Sequence, residues 1–147
     1  MRTRLTLLTA LILAVAPFGT PLARATTSTS SITVSGGPTS ASDTTPIKID
    51  GEIYLPANTP APAVLLAHGF GGSKDSVTEE AEALQARGFV VLAWSARGFG
   101  NSTGSISMNS PDREVVDVAK LIDYLGNRKE VIQDKKNDPR VGITGGS

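Results

Sequence analysis

The chain has no cysteine, and this removes several chemistries at once. There is no disulfide framework, no thiol nucleophile and no Cys-ligated zinc or iron–sulfur site. The absence does not fix the redox compartment, since a Cys-free chain is safe in either. Histidine is nearly absent too: His68 stands alone, which argues against a His-rich metal centre. No metal and no cofactor are expected. Charge of one sign is also missing, because 14 basic residues balance 14 acidic ones. Aromatics are few, and no basic run is interleaved with them, so a nucleic-acid partner is not expected. There is no internal repeat. At 147 residues the chain has room for about one domain.

Long apolar runs are confined to the N-terminus. Arg2 and Arg4 precede the run Leu5 to Ala16, which Pro17 and Gly19 break, and Ala23-Arg24-Ala25 follows. A positive start, a short apolar stretch and an A-x-A site are the three parts of a secretory signal peptide. The run falls short of the roughly 20 residues that a membrane span needs. Residues 1–25 are therefore expected to be a signal peptide, with an uncleaved N-terminal anchor as the alternative. Cleavage after Ala25 would remove three arginines and leave a mildly acidic chain, secreted to the extracellular space or cell envelope and free of the membrane.

Residues 26–45 are rich in Ser, Thr, Gly and Pro and read as a flexible mature N-terminus, with one short strand around Ile32 to Val34. Residues 46–147 read as the folded domain. Ile47 to Leu55 alternates with period two, as a half-buried strand does, and Gly51 is a candidate bulge. Ala63 to Ala67 and Phe89 to Trp94 are continuous apolar runs, the signature of strands buried on both faces. Between them Val77 to Arg87 reads as a helix, with Val77, Ala81 and Leu84 on one face and Gly88 as its stop. A second helix is expected to start at Ser110 as N-cap and Pro111 as first residue. Its apolar stripe is Val115, Val118, Leu121, Ile122 and Leu125, while Asp112, Asp117 and Asp123 read as solvated charges. A charged stretch then leads to a last strand, Val141 to Thr144. Buried strands alternating with amphipathic helices argue an α/β fold with a mostly parallel sheet.

Three loops follow three of these strands. In open α/β sheets the carboxyl edge of the strands is where ligands bind. The first loop, His68-Gly69-Phe70-Gly71-Gly72, stands where an α/β-hydrolase supplies one oxyanion-hole amide. Such a site needs a backbone N–H aimed at developing negative charge and small neighbours that let substrate approach. The Phe70 N–H is the candidate donor; a plain glycine turn is the bland alternative. The second loop contains Gly98, Gly100 and Gly104, a spacing that misses the dinucleotide fingerprint, and is read as structural, with Arg97 paired to groups that shape the site. The third, Thr144-Gly145-Gly146-Ser147, is the first half of a Gly-x-Ser-x-Gly nucleophile elbow, with Ser147 as candidate nucleophile. In that fold the order is serine, acid, histidine. His68 precedes the serine, so it is read as shaping its loop and not as the catalytic base.

The strings LLAHGFGGSKDS, WSARGFGNSTG, SPDREVVDVAKLIDYL and DPRVGITGGS, taken in order, resemble the secreted α/β-hydrolases of the X-prolyl dipeptidyl-peptidase and cocaine-esterase-like group. The resemblance covers about residues 47 to 147. It implies the N-terminal half of an α/β-hydrolase fold and hydrolysis of an ester or amide through an acyl-enzyme, with a small acyl ester or a peptide as substrate, X-Pro peptides in some members. It also implies a Gly-x-Ser-Tyr-x-Gly elbow, matched here at Gly145 and Ser147. Some members place a tyrosine hydroxyl in the oxyanion hole; this chain has Phe70 in that region, so the donor must be an amide or lie elsewhere. Many relatives carry an acid where Ser95 stands.

The elbow's second half, the acid and the histidine are not within the 147 residues, so this polypeptide by itself is expected to be inactive and marginally stable. Two other classes compete with a serine hydrolase. One is a nucleotide-binding α/β fold using Thr144 to Ser147 as a phosphate turn; the other is a non-catalytic secreted scaffold. The sequence leaves the oligomeric state open.

Overall fold

A computed structural model describes residues 26–146. The signal-peptide reading of residues 1–25 and the nucleophile reading of Ser147 lie outside the described residues.

The sheet has five strands: β1 (Ser28–Pro38), β2 (Pro46–Leu55), β3 (Ala63–Ala67), β4 (Val90–Trp94) and β7 (Val141–Gly145), in the spatial order β1-β2-β4-β3-β7. The pairs β4/β3 and β3/β7 are parallel, whereas β2 is antiparallel to both β1 and β4. Only β2 therefore runs against the rest, and the sheet is mostly parallel. Two helices cover it: α1 (Thr78–Ala86), preceded by a 3-10 turn over Lys74–Val77, and α2 (Glu114–Gly126). A small hairpin of β5 (Gln133–Lys135) and β6 (Asp138–Pro139) sits in the charged stretch before β7.

Alternation along the strands builds two cores. Val90, Leu92 and Trp94 of β4 face one side with Leu65 of β3, Ile47, Ile49 and Ile53 of β2, and Leu121 and Leu125 of α2. Val91 and Ala93 face the other side with Leu66, Tyr54 and Ala81 of α1. Successive side chains of a strand point to opposite faces, so a continuously apolar strand is what a sheet covered on both faces requires. Each fully buried Leu, Ile or Val contributes about 1.5–3 kcal/mol over its exposed state.

Four readings need correction. The stretch 26–45 contains an 11-residue strand, β1, where one short strand around Ile32 to Val34 was expected in a flexible segment. Its outer residues are exposed Ser and Thr, so little hydrophobic signal marks it; backbone pairing along β2, from Ser28 opposite Leu55 to Ser35 opposite Lys48, holds it instead. Gly51 is no bulge: it pairs in register with both Ile32 and Trp94, and the irregularity lies between Ser35 and Pro38. A Cβ at 51 would stand 3.1 Å from Ile32 Cγ1 and 3.3 Å from the Ala93 carbonyl oxygen, a tight fit that glycine avoids. The second helix begins at Glu114, not at Ser110–Pro111. There the Ser110 carbonyl accepts from the Arg113 and Val115 amides in a tight turn, and the Glu114 carboxylate takes the Ser110 N–H. Finally, Asp117 is buried, 4 % exposed, and is not a solvated charge, while Val115 of the apolar stripe is exposed.

Candidate active site

Because β3, β4 and β7 are parallel, their carboxyl ends lie along one sheet edge, and the three loops identified from sequence open there. Gly145 closes β7 against the end of β3 so tightly that a Cβ would stand 2.5 Å from the Ala67 carbonyl oxygen. The next residue, Gly146, directs its N–H at the same oxygen, 3.4 Å away. A Cβ on Gly146 would lie 3.8 Å from the Gly69 nitrogen. The residue before Ser147 is thus in contact range of the first loop's His-Gly-Phe segment.

That segment is a tight turn. The Gly72 N–H donates to the Gly69 carbonyl at 3.0 Å, and Gly71 supplies the positive φ of 84°. Among the described residues the Phe70 N–H has no protein acceptor. The Phe70 ring is 88 % exposed and meets the edge of Phe99 at a centroid distance of 5.6 Å. His68 touches Phe99 as well, at 5.2 Å. Its Nε2 accepts the Ala96 N–H at 3.0 Å, and its Nδ1 lies 2.7 Å from the Gly69 carbonyl oxygen. His68 thus ties its own loop to the loop after β4.

The second loop is held from below. Ser95 is fully buried, and its Oγ accepts the Lys74 N–H at 3.1 Å. Ser102 Oγ donates to the Ser95 carbonyl at 2.6 Å and accepts the Asp50 N–H at 2.8 Å. Arg97 is 1 % exposed and forms a two-point ion pair with Asp117, Nε to Oδ2 at 2.6 Å and Nη2 to Oδ1 at 2.9 Å. Its Nη1 donates to the Pro38 carbonyl, and Asp117 Oδ1 accepts the Gly37 N–H. The hydrogen bond to Asp117 raises the guanidinium pKa further above its ordinary value, against the opposing effect of burial. Gly98, Gly100 and Gly104 all have positive φ, and the loop they build is fastened to β2 by Thr103 N–H donating to the Lys48 carbonyl. It opens into no helix, in keeping with a structural loop.

Further along, Glu114 organises residues 107–110. Its carboxylate accepts the Ser107 N–H and Oγ–H and the Ser110 N–H. Burial pushes its pKa up, but these hydrogen bonds outweigh it and hold the group below the ordinary glutamate value. Met108 and Asn109 between them adopt left-handed backbone, φ 54° and 61°. Phe70, Phe99, Ile106 and Met108 form the apolar wall of a cavity of about 280 Å³ that Arg97 and Glu114 also line. Both charges are already engaged within the protein, so the cavity offers apolar contact more than charge. Sequence reasoning missed this cavity and missed Asp117. A signal for Asp117 did exist: it stands four residues before Leu121 and eight before Leu125, on the buried stripe. Among the described residues no group of three or more His, Asp or Glu stands together as a metal site. No described helix is long and apolar enough to cross a membrane.

Residues 58–141, more than half of the chain, match the family described as serine aminopeptidase, S33 (Hydrolase_4). The chain belongs to that family. Solved structures agree on the fold. A hypothetical protein, PA2218, from Pseudomonas aeruginosa is similar with a TM-score of 0.62 and 26 % identity, over 84 % of this chain and 36 % of that one. The epoxide hydrolase VrEH1 from Vigna radiata gives 0.54 and 26 %, over 80 % and 32 %. The Pyrococcus furiosus esterase PF2001 gives 0.58 and 19 %, over 89 % and 44 %. The fold is that of the α/β-hydrolases, and this chain spans less than half the length of these neighbours. No curated protein sequence matches it. The narrower X-prolyl dipeptidyl-peptidase and cocaine-esterase-like assignment is not reached by these matches.

Proposed function

We propose that the protein is a serine hydrolase that cleaves an acyl ester or a peptide bond through an acyl-enzyme, with Ser147 as nucleophile. The observation that carries this reading is the meeting of β7's last glycines with the His68-Gly69-Phe70 turn. It brings the residue preceding Ser147 to within contact of the loop that offers the unpaired Phe70 N–H. In the reaction Ser147 Oγ attacks the acyl carbon and a histidine beyond Ser147 accepts its proton. The Phe70 N–H and the amide of the residue after Ser147 stabilise the oxyanion; removal of one such donor costs about 100 to 1,000-fold in rate. The cavity walled by Phe70, Phe99, Ile106 and Met108 is suited to an apolar acyl or side-chain group. Membership of the serine aminopeptidase family supports the hydrolase class. The motif resemblance favours X-Pro peptides or small acyl esters within it. The signal-peptide pattern of residues 1–25 supports export.

The test begins with the gene. Its frame is read beyond Ser147, and the encoded protein is treated with a fluorophosphonate and analysed by mass spectrometry. A single adduct on Ser147, lost in Ser147→Ala together with hydrolysis of acyl esters or X-Pro amides, is the expected result. A labelled protein whose adduct lies elsewhere would overturn the assignment.

A further inference from the structure

His68 makes two hydrogen bonds whose chemistry fixes its protonation. The Ala96 N–H can only donate, so Nε2, 3.0 Å away, must carry a bare lone pair. The Gly69 carbonyl can only accept, so Nδ1, 2.7 Å away, must carry the proton. The ring is a neutral Nδ1–H tautomer held at both ends, and Phe99 packs against it edge to face.

The acceptor of that proton belongs to a particular peptide group. Gly69 C=O and Phe70 N–H are the two ends of one planar unit, and in a trans peptide they point in opposite directions. Whatever fixes the Gly69 oxygen therefore fixes the direction of the Phe70 N–H. The oxygen is fixed twice, by His68 Nδ1–H and by the Gly72 N–H at 3.0 Å. Without the histidine, that peptide is held on one side by glycines alone, and Gly69, Gly71 and Gly72 resist rotation weakly.

We propose that His68 is a positioning residue for the oxyanion hole. It transmits the placement of β4's end, through Ala96, to the Gly69–Phe70 peptide, and so aims the Phe70 N–H. The inference rests on the proposal that this N–H binds the oxyanion. A histidine so used does not exchange protons with substrate. Its worth is preorganisation: a donor aimed before the reaction costs no reorganisation during it.

Two measurements test this. In protein labelled with 15N-histidine, the His68 imidazole, assigned by its loss in His68→Asn, should show a protonated Nδ1 and a bare Nε2, with a through-hydrogen-bond coupling from Nε2 to the Ala96 amide. The opposite tautomer, or no coupling, overturns the inference without touching the hydrolase reading. In the protein as its gene encodes it, His68→Ala should lower kcat by about 10 to 100-fold, short of full loss of a donor, with KM little changed. His68→Asn, whose side-chain amide can still donate to the Gly69 oxygen, should recover part of that loss. This second variant also guards against His68→Ala failing to fold. If both variants keep wild-type kcat while the wild-type enzyme labels at Ser147, His68 is not a positioning residue although the enzyme assignment stands. If the wild-type protein hydrolyses nothing, both proposals fall.

Discussion

Asp117 is the residue on which the loop architecture turns. It neutralises a buried guanidinium, and it also accepts the Gly37 N–H from a strand 80 positions earlier in the chain. One carboxylate thus joins β1, the loop after β4 and α2. Removing one partner of such a pair leaves the other charge buried and uncompensated, which typically costs about 3–5 kcal/mol. Asp117→Asn keeps the shape and removes the charge. Its urea midpoint should fall by an amount equivalent to that energy, with the m-value unchanged. An unchanged midpoint would mean that Arg97 finds another partner or reaches water. The sequence placed Asp117 on the right helix but on the wrong side of it. Its apolar-stripe position was visible; its cation was not, because Arg97 lies twenty residues upstream in a glycine loop with no periodicity to orient it.

At the scale of elements, what could be read from sequence tracks how strongly burial writes itself into a pattern. AVLLA and FVVLAW are apolar on both faces because both faces are covered, and they appear as β3 and β4. β1 left little trace, since its exposed Ser and Thr residues carry no alternation and its ladder is backbone. The start of α2 was misplaced for a related reason. Ser110-Pro111 has the residue types of a helix start, yet Glu114 uses its carboxylate to gather Ser107 and Ser110 into a turn ahead of the helix. That turn is acid-sensitive. The Glu114 pKa is lowered in the folded protein, so its contribution is present above the ordinary glutamate value and is lost as pH falls through the lowered one. Amide resonances of Ser107 and Ser110 should shift together in that acid range, ahead of the global unfolding signal. In Glu114→Gln the same resonances should show no such step.

The whole molecule is asymmetric. One side of the sheet ends in β1, whose Gly36 and Gly37 pack against α2 and β2. The other ends in β7, which pairs only with β3 and whose residues from Gly142 onward are exposed among the described residues. Ile143 is 57 % exposed there, a β-branched side chain on an unpaired parallel edge. Such an edge offers a row of free backbone groups to any strand that arrives, and natural sheets blunt it with charge or cover. The solved neighbours are more than twice as long as this chain, and further structure along β7 is what their greater length can supply. The 147-residue polypeptide, expressed alone, should therefore self-associate through β7. Light scattering should show growth with concentration, and Ile143→Lys, which places a charge on that edge without altering either core, should suppress it. In a protein whose further structure covers β7, the same substitution should instead destabilise. Monodisperse behaviour of the unsubstituted polypeptide at high concentration would show that the edge of β7 is already protected.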